Sequence, residues 1–142
     1  FIVTESGPVL VEINYRSIGD GREFLLDNLS RGSWFTTILN LHLGSKLDHD
    51  FRIDGSAQVR YLVAPHSGNI EGTSTSFIHQ DGDIVTQQQV LKRAGDYFQQ
   101  SFSNKDYLAR ISIASPSGQP LEATLQRALS RFNLSPVNEV TA

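Results

Sequence analysis

Apolar and polar residues alternate with the two-residue period of a strand at several points along the chain. In residues 8–16, Val9, Val11, Ile13 and Tyr15 fall on one face and Glu12, Asn14 and Arg16 on the other. Residues 1–5 form a second apolar run, and Ser6-Gly7-Pro8 supplies turn residues between the two, which predicts an antiparallel hairpin with Phe1 near Ile13. The same alternation returns at Ala57, Val59, Tyr61 and Val63 against Gln58, Arg60 and Leu62. Pro65-His66-Ser67-Gly68 then predicts a turn into a strand over 69–78, Asp81-Gly82 a tight hairpin into a strand over 83–91, and residues 107–113 a further strand. Spacings near 3.6 mark helices at 22–29, at 34–43 with Ser33 as N-cap and Gly44 as stop, and after Pro120. In the last of these Leu121, Leu125, Ala128, Leu129 and Phe132 form one stripe, suited to cover a sheet face. Residues 48–54 read as a polar loop and residues 133–142 as a short polar tail. The predicted class is α+β, a mainly antiparallel sheet with flanking helices.

The polar face of residues 8–16 carries the candidate chemistry. Neighbours in that row are about two strand rises apart, roughly 6–7 Å, so Glu12 and Asn14 can offer two hard oxygen donors to one cation or to adjacent ones. Magnesium accepts such donors, especially when substrate phosphates complete its shell. Arg16 adds a planar fork for a phosphate or carboxylate. Gly19 and Gly21 let the backbone approach an anion, and Asp20 has two readings, orienting a cationic amine or capping the helix that follows.

The run Glu12-Ile13-Asn14-Tyr15-Arg16, followed by a glycine-containing loop and a helix, resembles the magnesium-binding Glu-x-Asn-x-Arg strand of the ATP-grasp superfamily. The resemblance continues to about residue 132 through Arg60-Tyr61-Leu62-Val63-Ala64-Pro65 and Ala94-Gly95-Asp96, in the order of the family's C-terminal part. It implies a metal-binding hairpin and helices over 1–47, a closing sheet lobe and helix over 48–132, and a tail over 133–142. It further implies a ligase that uses ATP and two magnesium ions to join a carboxylate to an amine through an acyl phosphate. Glu12 would bridge the metals, Asn14 would hold one, and Arg16, the catalytic residue, would stabilise the acyl phosphate or grip the substrate carboxylate. The loop from Ser17 through Gly19, Asp20 and Gly21 would line the substrate site. In the family the helix over 34–43 packs behind the sheet, so Trp34 and Phe35 are expected in the core. The family's first acidic ligand would fall just before Phe1, and its adenine pocket lies upstream, so the chain alone is expected to be inactive. Tyr15, where proline or threonine is frequent, and the Ser17–Gly21 loop leave the substrates open. Amino-acid or hydroxy-acid ligases of secondary metabolism, siderophore assembly among them, fit better than purine or biotin enzymes. The alternative is a non-catalytic domain of the same shape, used for subunit contact or ligand sensing, with a homodimer as the candidate assembly.

Composition narrows the classes. The 142 residues, 39% hydrophobic, suffice for one domain with a core. A net charge of −3 argues against nucleic acid and acidic membranes as partners. The absence of cysteine removes thiol nucleophiles and thiolate zinc sites and leaves cytoplasm as the default compartment. No apolar run reaches the ~18 residues of a membrane span. Nucleophile-elbow, P-loop and zincin motifs are absent. The four histidines share no ligand spacing, and His66, in a turn, is kept as a candidate substrate contact.

Overall fold

A computed structural model describes residues 2–13, 17, 19–103, 106–135 and 138–141. It is α+β, with mainly antiparallel strands and three helices among the described residues. The chain opens on a hairpin of β1 (Ile2–Thr4) and β2 (Gly7–Val9), followed by α1 (Glu23–Leu29) and α2 (Trp34–His42). Then come β3 (Ser56–Val63), β4 (Gly68–Asn69), β5 (Glu71–Gly72), β6 (Phe77–Asp81), β7 (Ile84–Val90), β8 (Tyr97–Phe98) and β9 (Tyr107–Ser115). The helix α3 (Glu122–Arg131) precedes β10 (Leu134–Ser135) and β11 (Asn138–Thr141).

One five-stranded antiparallel sheet, in the order β11-β3-β9-β7-β6, organises the rest. Its central strand β9 is buried from Leu108 to Ser115. Because a strand sends alternate side chains to opposite faces, Ala109, Ile111 and Ile113 meet Leu62, Leu121 and Leu125 beneath α3. The stripe predicted for this helix does cover a sheet face. Arg110 and Ser112 point the other way, where α1 packs on β9 and β3. A second cluster of Ala64, Ile70, Phe98, Leu108 and Leu134 fastens the paired short strands β4–β8 and β5–β10.

Several expectations change. The ladder predicted over 8–16 ends at Val9: Ile2 pairs with Val9, not with Glu12 as the expected register requires. The reason is a tight turn at Glu5-Ser6, closed by Thr4, whose hydroxyl donates to the Gly7 carbonyl at 2.8 Å and lies 3.0 Å from the Ser6 hydroxyl. Residues 10–13 carry no regular secondary structure. Asn14, Tyr15 and Arg16 lie outside the described residues, as does Phe1. The strand expected over 69–78 is broken into β4, β5 and the start of β6. The tail is not merely polar: Leu134 is buried, β10 pairs with β5, and β11 forms an edge of the main sheet on β3. Such long-range pairing leaves no local mark in the sequence. No residue of α2 is buried, so Trp34 and Phe35 are not core. With α1 on the sheet, α2 rests on α1, where Phe35 meets Phe24 edge-on at 5.4 Å and Trp34 packs against Phe51.

Candidate functional site

The loop before α1 turns through three successive left-handed residues: Gly19 at φ 82°, Asp20 at 59° and Gly21 at 68°. Glycine adopts this region freely and Asp is among the few other residues that tolerate it, so Gly-Asp-Gly can make a turn that few triplets could. The turn is tied at its base by Arg22 N–H to the Gly19 carbonyl at 3.3 Å, and Gly19 N–H donates to the Glu23 carboxylate. Glu23 is buried against the sheet.

This geometry lays Asp20 over the α1 face of the sheet. The Tyr61 hydroxyl donates to Asp20 Oδ2 at 2.6 Å, and Arg110 Nη1 lies 3.5 Å from Oδ1. Tyr61 and Arg110 are register partners on β3 and β9, so one carboxylate spans a cross-strand pair. Arg22 Nε donates to the Tyr61 hydroxyl at 3.2 Å, with its guanidinium 5.6 Å above the ring centroid. Tyr107 stacks on Tyr61 at 4.3 Å, and Arg110 Nη2 donates to Gln89 Oε1 at 2.5 Å. Burial, then the hydrogen bond to Asp20, pushes the Tyr61 phenol up, against the opposing pull of Arg22. The hydrogen bond to Tyr61 in turn raises the Arg22 guanidinium. Gly21 is packed so closely that a Cβ there would overlap Arg110 Nη2. Arg22 and Arg110 are balanced in charge by Asp20 and the buried Glu23, and Arg22 is the exposed cation of the loop.

Gly19, Asp20 and Gly21 are thus together, and Ser17 and Glu12 are exposed. Asp20 does not cap α1: its N-cap is Arg22, with no side-chain cap bond. Its carboxylate oxygens go to Tyr61 and Arg110 instead. His66 lies exposed in its turn with Nδ1 3.2 Å from the Ser67 carbonyl. The aspartate-rich loop at 48–54 borders a cleft of about 370 Å³, but Arg52 folds back onto the His49 and Phe51 carbonyls, as a solvated loop would. Tyr61, Tyr107, Gln89 and Arg110 were not singled out from sequence. The available signal was Arg110, a charge within an otherwise apolar strand, which demands a buried partner.

Of the magnesium donors the resemblance implies, Glu12 is the described one, and among the described residues no three or more His, Asp or Glu gather into a metal-binding group. A single carboxylate can serve magnesium only with substrate phosphates and water completing its shell. Among the described residues no helix is long and apolar enough to cross a membrane. No protein family, curated protein or solved structure matches the chain.

Proposed function

We propose that the chain is the C-terminal part of an ATP-dependent ligase that joins a carboxylate to an amine. In this reading a substrate carboxylate oxygen attacks the γ-phosphorus of ATP and the bond to ADP breaks. The amine nitrogen then attacks the acyl carbon, phosphate departs with the oxygen it received, and the nitrogen loses a proton. Such transfer depends on positioning and charge neutralisation. Glu12 and Asn14 would hold magnesium, whose chemistry is to neutralise phosphate oxygens, and Arg16 would neutralise the acyl phosphate. The observation that carries the reading is the loop that follows this run. Gly19-Asp20-Gly21 is tied through Asp20 to Tyr61 and Arg110 beside an exposed Arg22, which suits a loop lining a substrate site. Asp20 then acts as the anchor of the loop, while Ser17 and Gly21 remain its substrate-facing candidates. The test is ADP release by the full-length protein across a panel of carboxylates and amines, with and without Glu12→Ala. The expected loss is about 100-fold or more with the circular dichroism spectrum retained, and undiminished turnover in the variant refutes the assignment.

One observation favours the non-catalytic reading, a domain for subunit contact. Ile2, Val3 and Val9 are exposed on the β1–β2 hairpin, and Phe35 and Leu39 on α2, apolar side chains that a subunit contact would cover. That reading predicts self-association in sedimentation velocity and no effect of Glu12→Ala on any function.

A further inference from the structure

The sheet face beneath α3 is apolar on β9 but turns polar on β7. Thr86 and Gln88 stand opposite Ile113 and Ile111, in the same buried layer, and are only 4% and 5% exposed. Gln88 gives its amide to the Thr75 carbonyl at 2.7 Å. Thr86 lines a cleft of about 220 Å³ between β6, β7 and α3. Arg127 and Arg131 stand on the cleft's helical wall, four residues apart and so on one face. Arg127 donates to Thr124 Oγ1 at 3.0 Å, and neither arginine is ion-paired among the described residues. Phe77, 42% exposed, and His79 line the opposite wall, and Asp81 is the one carboxylate of the lining.

We propose that this cleft binds a small organic carboxylate with a flat apolar body. Two guanidinium forks match the two oxygens of a carboxylate, the Thr86 hydroxyl in the lining supplies a further donor, and the Phe77 ring gives the body a face to cover. Inorganic phosphate would answer the arginines but leave Phe77 in water, so the apolar body distinguishes the two anions. The site lies on the opposite face of the sheet from Asp20 and Tyr61 and does not depend on ligase chemistry.

The experiment is titration calorimetry with benzoate, its neutral isostere benzamide, and inorganic phosphate, at low salt. Benzoate is expected to bind with a dissociation constant of ~1 mM, and benzamide and phosphate each at least about 5-fold more weakly. Arg127→Ala/Arg131→Ala should weaken benzoate binding about 10-fold or more. Both arginines are exposed, so the double variant should keep the wild-type circular dichroism spectrum. Thr86→Val, close in volume, should weaken binding about 3-fold or more. Glu12→Ala should leave it unchanged, which separates this proposal from the ligase reading. No saturable benzoate binding by ~20 mM, equal binding in the double arginine variant, or phosphate binding as tight as benzoate would overturn the proposal.

Discussion

Replacing Gly21 with alanine asks whether the loop is clamped on Arg110. Gly21 lies at φ 68°, where an L-residue costs about 1–2 kcal/mol. The new Cβ would also overlap Arg110 Nη2 and sit 2.8 Å from Cζ and 3.0 Å from Nη1, so the guanidinium must move. It is held by Gln89 Oε1 at 2.5 Å and by Asp20 at 3.5 Å. Losing a hydrogen bond from a charged donor costs about 1.5–3 kcal/mol, while the Asp20 pair, half exposed, adds little. The expected destabilisation is about 2.5–5 kcal/mol. Gly44→Ala is the control: φ is 87° but no atom lies within 4 Å of the added Cβ, so only about 1–2 kcal/mol is expected. Urea unfolding followed by circular dichroism reads both, at slopes of about 1–3 kcal/mol/M. Equal losses in the two variants would refute the clamp.

Further outcomes follow from the same contacts. Tyr61→Phe removes the hydroxyl between Asp20 and Arg22 and should cost about 1–2 kcal/mol in urea unfolding. The Tyr61 phenol is raised above its ordinary value of 10.0, first by burial. Its share of stability is therefore complete below about pH 10 and is lost as pH rises through the folded value. Absorbance at high pH should show a late tyrosine ionisation that vanishes in Tyr61→Phe; a titration unchanged by the substitution contradicts the assignment. Asp83 is held below its ordinary 3.8 by the Ser115 hydroxyl, the Ser117 hydroxyl and the Ser117 N–H. Its contribution is therefore present above about pH 4 and lost as pH falls through the folded value. Asp83→Asn should flatten part of the acid limb of the stability profile, and parallel limbs in wild type and variant would contradict this.

What was legible in the sequence was local. The stripe of α3, the helix stop at Gly44 and the strands at β3 and β9 are local signals that survive in the structure. What was hidden was pairing across the chain. Asp20 and Arg110 are ninety positions apart, and neither local propensity nor spacing says that a left-handed loop residue will meet a cross-strand tyrosine and arginine. A helix cap or an amine contact are the roles that the sequence neighbours of Asp20 define. The hairpin register failed for a related reason: Ser6-Gly7-Pro8 contains three turn formers, and composition alone does not say which two residues close the loop. The edge strand β11 is invisible until β3 exists to receive it.

The most direct test of the ligase reading is oxygen transfer. With ¹⁸O in the carboxylate of whichever acid supports ADP release by the full-length protein, an acyl-phosphate route carries one labelled oxygen into the released phosphate. Labelled phosphate in equal amount to ADP is the predicted result. ADP released with unlabelled phosphate, or AMP and pyrophosphate in place of ADP and phosphate, would contradict it.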